Sequence, residues 1–380
     1  MSEKKKKVVF LTGTRADYGK IKPLISKLEN HKNFHTSIFI TGMHLMPRYG
    51  NTYLEIEKSG FSNLFKFKNQ NLGEDMDVIL SKTVSGFSRF IKRIVPDLII
   101  LHGDRLETLA GAIVGSFNNI LTAHIEGGEV SGTIDELIRH SVSKLCHIHF
   151  VSNDEARRRL IQMGESSDSL HIIGSPDIDL MNSKKLPDLE TVKSYYNFNF
   201  VEYAIILFHP VTTDLKNLKI ETKNLIRAAK DSRLNFVMIY PNNDSGSEII
   251  INEIKLLKNH DNFKIYPSMR FEYFLTLLKF SKFIIGNSSA GIREAPHYGI
   301  PTINIGNRQD GRAVLKSIKN ISPSHKDILK AVKEAGKNSF KKTQLFGDGD
   351  SSNKFLDILE KKKTWSTPVQ KAFNDLPNNN

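Results

Sequence analysis

Two short apolar runs that stop at charged and glycine residues constrain the fold of this chain more than any other feature. Residues 96–101 (PDLIIL) end in HGDR, and residues 120–125 (ILTAHI) end in EGGE, with a segment of helical spacing between them. Short buried strands with such ends are typical of parallel sheets. In open α/β sheets, ligands bind at the carboxyl ends of the strands. The sequence therefore predicts a functional site at this edge.

Three carboxylates lie at the predicted edge: Asp104, Glu126 and, at the start of the next predicted helix, Asp135. Asp104 could instead cap the helix that follows it, and Asp135 could interact with its own helix dipole. Glu126 is harder to explain as a structural residue, because it directly ends an apolar run and precedes two glycines. Clustered carboxylates shift one another's pKa, which suits one base and one acid at neutral pH. We therefore predict three catalytic carboxylates and leave open which is the acid and which the base.

The same alternation of strands and helices runs through both halves of the chain. Residues 8–13 (VVFLTG) precede a helical segment, residues 35–42 form a second strand, and helical spacing covers residues 76–94; a second series starts at residue 203. This alternation predicts parallel strands with right-handed crossovers. The fold class is α/β, with two Rossmann-like, doubly wound domains whose carboxyl edges face a ligand cleft.

A polar stretch with two prolines, between Gly174 and Glu202, predicts the domain boundary. We assign residues 1–176 to the N-terminal domain with the carboxylates and residues 177–355 to a C-terminal, ligand-binding domain. Residues 356–380 form a closing segment with a helix around Trp365–Phe373. The final residues, LPNNN, are expected to be disordered.

The second predicted edge carries groups that suit a nucleoside diphosphate. In GNSSAGIREA, Ser288 and Ser289 lie between a strand end and a helix start, where hydroxyl and N–H groups can hold phosphate. Either serine could instead be a plain helix cap. Glu294, about one and a half turns into that helix, is placed for ribose hydroxyls. Arg308 and Arg312 of GNRQDGR add positive charge. His209, at the end of another strand, is a candidate ligand or acid.

The sequence predicts no cofactor and no metal ion. The fingerprint G-x-G-x-x-G is absent, which argues against a nicotinamide. The Asp and His residues of HGD and HIEGGE could form a metal site, but arginines and helix starts can hold a diphosphate without one. Arg15, in the turn after the first strand, is such an arginine, beside N–H groups of a helix start. A surface arginine in a βα loop is the alternative.

Composition limits the partners of the chain. The formal net charge is +13, part of it in lysine runs near both ends, but no nucleic-acid-binding motif is present. No apolar stretch approaches the ~20 residues that span a bilayer. Cys146 is the single cysteine and lies in an apolar run, which excludes an internal disulfide framework and indicates a reducing compartment. We expect a cytoplasmic protein that binds an anionic small molecule, and neither nucleic acid nor membranes.

An ordered set of motifs resembles one enzyme family. TGTRADYGK, TGMHL, HGDR, HIEGGEVSGTIDE with IRHSVSKL, GSPD, FHPVTT, GNSSAGIREAP and GNRQDGR occur in this order from Val8 to about Asn338. Together they resemble the hydrolysing UDP-N-acetylglucosamine 2-epimerases of bacterial sialic-acid synthesis, which are related to the epimerase half of the animal bifunctional enzyme. The resemblance implies a GT-B-like pair of domains with UDP bound mostly by the second, a C-terminal helix that packs back on the first, and a homodimer or homotetramer.

The reaction that the resemblance implies is the hydrolysis of UDP-N-acetylglucosamine to UDP and free N-acetylmannosamine, the first step of sialic-acid synthesis. A base removes the proton on sugar carbon 2 as UDP leaves, which gives a 2-acetamidoglucal. Water then adds at the anomeric carbon, and a proton returns to carbon 2 from the opposite face. The family's acid and base carboxylates match Asp104, Glu126 and Asp135, and His209 is included with them as a catalytic candidate. The positions that contact UDP match Arg15, Arg105, His209, Asn242, Ser288, Ser289, Glu294 and Arg308.

Four other functions stay open from the sequence. Relatives that hydrolyse UDP-2,4-diacetamido-2,4,6-trideoxyglucose, for legionaminic acid, share HGDR and HIEGGE, so the sugar is not assigned. A non-hydrolysing 2-epimerase would retain UDP and return UDP-N-acetylmannosamine. A glycosyltransferase of the same fold would need an acceptor. A non-catalytic regulator that binds a UDP-sugar is disfavoured, because three carboxylates in an anion-binding cleft would weaken its affinity without a chemical use.

Overall fold

The computed structural model describes residues 5–337 and 340–375. They form two compact units. The first comprises the chain up to Glu129, Asp135–Asn182 and the chain from Leu345 on, and the second comprises Val130–Ile134 and Ser183–Gln344. Residues 376–380, predicted to be disordered, lie outside the described part of the chain. No helix within that part has the length and hydropathy that crossing a membrane requires.

The first unit is built on a seven-stranded parallel sheet. Its strands are β1 (Lys6–Thr12), β2 (Phe34–Ile40), β3 (Leu64–Lys66), β4 (Leu98–His102), β5 (Leu121–Ile125), β6 (Ile148–Val151) and β7 (Leu170–Ile172). They run in the order β3-β2-β1-β4-β5-β6-β7. The order reverses between β1 and β4, where Val8 pairs with Leu98. Such a switch point is where doubly wound sheets bind ligands.

Helices cover this sheet and bury its strands. They are α1 (Arg15–Glu29), α2 (Tyr53–Lys58), α3 (Met76–Ile94), α4 (Leu106–Phe117), α5 (Ile134–Leu145), α6 (Asp154–Gln162) and α7 (Pro176–Met181). The helix predicted over residues 76–94 is confirmed by α3. Residues of β1, β4 and β6 such as Val8, Ile100 and Phe150 are buried in one core with Leu24 of α1, which explains why these strands read as continuous apolar runs.

The second unit repeats this plan with six parallel strands. They are β8 (Ala204–Leu207), β9 (Phe236–Ile239), β10 (Phe263–Tyr266), β11 (Ile284–Gly286), β12 (Thr302–Ile305) and β13 (Ile318–Ile321), in the order β10-β9-β8-β11-β12-β13. The helices are α8 (Leu189–Tyr195), α9 (Leu218–Ser232), α10 (Ser247–Lys255), α11 (Phe271–Phe280), α12 (Glu294–Tyr298) and α13 (His325–Ala335). Two parallel sheets with alternating helices confirm the predicted α/β class.

The C-terminal segment differs from its prediction. The chain forms α14 (Ser351–Leu359) and the short α15 (Lys362–Trp365), and residues 366–375 are not helical. The helix predicted around Trp365–Phe373 is therefore wrong. Pro368 explains the end of the helix, because proline lacks an N–H and disfavours helical backbone in the residue before it.

The segment from Leu345 on belongs to the first unit. Phe355 of α14 is buried in the first core, and the Asp179 carboxylate of α7 accepts hydrogen bonds from Ser351 N (2.9 Å) and Ser352 N (2.7 Å) at the start of α14. These contacts place residues 177–182 and 345–355 with the first unit, whereas the sequence assigned both to the second domain.

Candidate active site

The three predicted catalytic carboxylates all belong to the first unit, at or just beyond the carboxyl ends of its strands. Asp104 lies in the turn after β4, Glu126 directly follows β5, and Asp135 lies in the first turn of α5. Glu126 is buried and has a positive φ of 67°, a backbone conformation that residues other than glycine rarely adopt. Strain of this kind is found at functional sites more often than elsewhere.

Glu126 is surrounded by polar groups that converge on one of its oxygens. Oε1 accepts a hydrogen bond from Ser175 Oγ (3.1 Å), and Lys20 Nζ lies 3.4 Å away. His102 Nε2 lies 3.3 Å from the same oxygen. A buried charge needs such partners, because it has lost its hydration. The surroundings therefore favour Glu126 in its ionised form, which can act as a base.

Asp104 pairs with Arg139, a fully buried arginine of α5 that is 1% exposed. Arg139 Nη2 binds Asp104 Oδ2, and Nη1 donates to the carbonyl of Glu129 (3.3 Å). Burial lowers the pKa of Arg139, but the nearby carboxylates, Asp104 first among them and Glu126 and Asp135 included, outweigh burial and raise it. Arg139 thus places a permanent positive charge among the candidate catalytic carboxylates.

His124 fixes the loop that carries Asp104. Its Nε2 lies 2.8 Å from the carbonyl of Gly103, which can only accept, so Nε2 carries the proton and Nδ1 accepts from Ser143 Oγ (3.0 Å). Burial lowers the pKa of His124 to about 3, which keeps the ring neutral. A Cβ on Gly127 would lie 2.8 Å from Ser143 Oγ and 2.9 Å from His124 Nδ1. The first glycine of EGGE is therefore needed for this packing.

The turn after β1 is occupied by its own capping group. The Asp17 carboxylate accepts from Gly13 N (2.9 Å) and Thr14 N (3.1 Å), and Thr14 Oγ1 accepts from Asp17 N in a capping box. Burial raises the pKa of Asp17 to about 6. The sequence predicted that N–H groups at this helix start could bind an anion, but these two already donate to the Asp17 carboxylate. Arg15 forms an ion pair with Glu55, and its predicted contact with UDP stays a prediction.

In the second unit, Asn287 holds His209 in place. His209 N donates to Asn287 Oδ1 (2.7 Å), and Asn287 Nδ2 donates to the carbonyl of His209 (2.8 Å). His209 Nδ1 accepts from the backbone N–H of Asn242 (3.2 Å). The neutral ring therefore carries its proton on Nε2, which can donate to an anion. Asn242 contributes its backbone to this arrangement.

Asn287 also binds the loop that carries Arg308 and Arg312. Its backbone carbonyl accepts from Arg308 Nη1 (3.1 Å) and Gln309 Nε2 (2.8 Å), and Gln309 Oε1 accepts from Arg312 Nη1 (3.0 Å). His209, Arg308 and the serine loop are thus brought together around one buried asparagine. This arrangement of donors and positive charge suits a diphosphate.

The remaining predicted site residues take the following places. Ser288 caps a short 3-10 helix, Ser289–Gly291, by accepting from Ala290 N, which is the capping role that the sequence allowed. Glu294 is the first residue of α12 and is buried; it does not lie one and a half turns into a helix as predicted, because the 3-10 turn separates the serines from α12. Arg105 is the residue before α4.

Several residues that build these sites were missed from the sequence. Lys20, Arg139, Ser175 and Asn287 lie within quoted motifs, but nothing local marks them as partners of the candidate residues. The only indication of these residues in the sequence was that they lie within the motifs TRADYGK, IRHSVSKL, GSPD and GNSS. A buried lysine or arginine in an otherwise amphipathic helix becomes informative only when its partner is known.

Comparison with known proteins decides the family. A family model described as UDP-N-acetylglucosamine 2-epimerase matches residues 26–360. The chain belongs to the UDP-N-acetylglucosamine 2-epimerase family. It is 46% identical, over 98% of this chain and 99% of the relative, to the UDP-N-acetylglucosamine 2-epimerase of Neisseria meningitidis serogroup B.

Two further relatives carry different names. A UDP-N,N'-diacetylbacillosamine 2-epimerase (hydrolyzing) of Legionella pneumophila is 32% identical over 93% of this chain and 96% of the relative. The polysialic acid biosynthesis protein P7 of Escherichia coli is 32% identical over 86% of this chain and 85% of the relative.

Solved 2-epimerase structures share the fold of this chain. The UDP-GlcNAc 2-epimerase of Methanocaldococcus jannaschii, solved with UDP-GlcNAc and UDP, has a TM-score of 0.80 at 21% identity, and the match covers 93% of this chain and 99% of that structure. At this identity the likeness shows the α/β two-sheet, GT-B-like fold.

Proposed function

We propose that this family member is a hydrolysing 2-epimerase, which converts UDP-N-acetylglucosamine and water to UDP and N-acetylmannosamine. The observation that carries the proposal is the buried Glu126 carboxylate, held at a strand end by Ser175 and Lys20. A carbon-bound proton is weakly acidic, so its removal requires a positioned base. The 46% identity to the meningococcal UDP-N-acetylglucosamine 2-epimerase supports the same substrate.

The residue roles follow the chemistry of the elimination. We assign the acid and base steps at carbon 2 and at the water to Asp104, Glu126 and Asp135. The departing diphosphate needs stabilisation of its developing charge. His209, with its Nε2 proton, and Arg308 supply that stabilisation in this proposal. The other proposed UDP contacts are Arg15, Arg105, Asn242, Ser288, Ser289 and Glu294.

The proposed pathway is sialic-acid synthesis. The name of the Escherichia coli relative, a polysialic acid biosynthesis protein, supports it. The second candidate is the same reaction on a UDP-2,4-diacetamido sugar, which the name of the Legionella relative supports at a lower identity of 32%.

The experiment that tests the proposal is product analysis in buffer alone. The purified chain is incubated separately with UDP-N-acetylglucosamine and with the diacetamido sugar nucleotide, without an acceptor, and UDP and free sugar are measured by anion-exchange chromatography and NMR. We expect UDP and N-acetylmannosamine from the first substrate, and no release by a Glu126→Gln control. UDP-N-acetylmannosamine without free sugar would identify a non-hydrolysing enzyme. Release that requires an added acceptor would identify a glycosyltransferase.

A further inference from the structure

Asp177 is a buried carboxylate that the proposed reaction does not use. It is the second residue of α7 and is 0% exposed. Its Oδ1 accepts from the backbone N–H of Ile178 (3.1 Å), and its Oδ2 lies 3.7 Å from Lys20 Nζ. The same ammonium group lies 3.4 Å from Glu126 Oε1. One buried lysine is thus shared by two buried carboxylates.

Sharing a cation has a definite electrostatic consequence. An ammonium group beside a carboxylate favours its ionised form, whereas a second carboxylate nearby opposes ionisation. Because Lys20 is attracted to both Asp177 and Glu126, neither acid receives the full effect of its charge. Charges in a buried setting are weakly screened, so the effect persists at physiological salt.

We propose that Asp177 is a positioning residue that shares Lys20 with Glu126 and thereby raises the pH at which Glu126 becomes a working base. A base is most useful when its proton affinity is matched to the operating pH, and a fully paired Glu126 would be too weak. Asp177 contacts no reacting atom in this proposal. It acts through Lys20, and the inference rests on the proposed function of Glu126.

Titratable and charged groups on other elements also lie near Glu126 or near its partners. His102 faces it from the end of β4, and Arg139 of α5 interacts with it electrostatically. Asp17, in the first turn of α1, interacts with His102. Lys20 comes from the same helix. A substitution of Asp177 leaves all of these side chains in the protein, so a change in the titration of Glu126 reports the shared lysine.

Asp179 provides a matched control on the same short helix. Its carboxylate is also held by backbone N–H groups, but those of Ser351 and Ser352 at the start of α14. Asp179→Asn therefore removes a half-buried charge and weakens the contact with α14 without touching the pair of Lys20 and Glu126. A general loss of stability affects both variants, whereas a shift in the titration of Glu126 is expected only for the substitution at Asp177.

The test is the pH profile of UDP release by the wild type, Asp177→Asn, Asp177→Ser and Asp179→Asn. For both neutral variants of Asp177 we expect the acid limb of kcat/KM to move down by about one pH unit. We expect kcat on the plateau to fall about threefold with KM unchanged, because Glu126 becomes a weaker base. Asp177→Glu, which keeps the charge, should restore the wild-type limb. An acid limb that stays in place in both neutral variants would overturn the inference.

A second readout separates this inference from the proposed function. The Glu126 carboxyl is titrated by carbon-13 NMR in protein labelled at glutamate, and its signal is assigned by its loss in Glu126→Gln. We expect its midpoint to fall in Asp177→Asn, whether or not the enzyme hydrolyses UDP-N-acetylglucosamine. A wild type that releases no UDP would refute the proposed function, whereas an unmoved midpoint in the variant would refute the role of Asp177.

Discussion

Replacing Asn287 with alanine tests how the second unit holds His209. Asn287 is 1% exposed, and its side chain satisfies both the N–H and the carbonyl of His209. Alanine leaves these two buried backbone groups without their partners, and each such group costs about 1–3 kcal/mol. We therefore expect the free energy of unfolding to fall by about 2–6 kcal/mol. For a unit of this size, that loss lowers the melting temperature by about 10 °C.

Two matched variants separate this effect from the loss of volume. Asn287→Asp has the same shape and keeps the acceptor for His209 N, but it turns an oxygen toward the carbonyl of His209, so we expect a similar loss. Asn304→Ala, on β12 of the same unit, removes one hydrogen bond to the side chain of Asn320 (2.9 Å) and leaves no backbone group unpaired. Its cost should be about 1 kcal/mol.

The assay is calorimetry of thermal unfolding, followed by titration with UDP. Because His209 depends on Asn287, we also expect weaker UDP binding by Asn287→Ala and none of this effect in Asn304→Ala. An Asn287→Ala protein that melts at the wild-type temperature would show that His209 does not depend on this side chain, and the reasoning about the second site would fail.

Three further predictions concern both units. Arg139→Met leaves the half-buried Asp104 without its cation, and we expect a loss of up to about 3 kcal/mol in urea unfolding, the lower end of the range for breaking a fully buried pair. An unchanged unfolding midpoint would contradict the pair. The pKa of His124 is about 3 in the folded protein and 6.5 in the unfolded chain. The stabilising effect of the neutral ring is therefore complete above pH 6.5 and is lost as the pH falls toward 3, by up to about 1.4 kcal/mol per pH unit. The free energy of unfolding of His124→Asn should depend less on pH over this range. Ser289→Ala and Arg308→Ala should each weaken UDP binding about tenfold in calorimetry, because each variant loses one hydrogen bond to phosphate or one charge-assisted hydrogen bond. An unchanged affinity for UDP would remove that residue from the proposed site.

The fold was predictable from the sequence because its signal is local. Apolar runs of strand length, each followed by glycine or charged residues, mark β4 and β5. The residue that ends a parallel strand lies at the carboxyl edge of the sheet, and this does not depend on the order of the other strands. Asp104 and Glu126 were therefore placed correctly at that edge. Helix α3 was bounded correctly because nineteen residues of clear helical period leave little choice.

The partners of the site residues were not predictable in this way. Lys20 meets Glu126 across 106 positions of sequence, and Asn287 meets His209 across 78. No local pattern encodes such pairs, since each depends on the order of strands in the sheet. The helix predicted in the C-terminal segment was wrong for a different reason. Apolar residues from Trp365 to Phe373 were read as a helix, although Pro368 ends it and the chain continues as an irregular segment in which Lys371 Nζ donates to the carbonyl of Lys144 at the end of α5 (2.9 Å).

The most direct test of the central claim is the fate of the hydrogen on sugar carbon 2. UDP-N-acetylglucosamine is incubated with the purified chain in deuterated water, and the products are followed by proton NMR from the first turnover. The account predicts UDP and free N-acetylmannosamine that carries deuterium at carbon 2, because a base removes the original proton and solvent returns another. N-acetylmannosamine that keeps its original proton, or UDP released with N-acetylglucosamine, would contradict an elimination at that carbon.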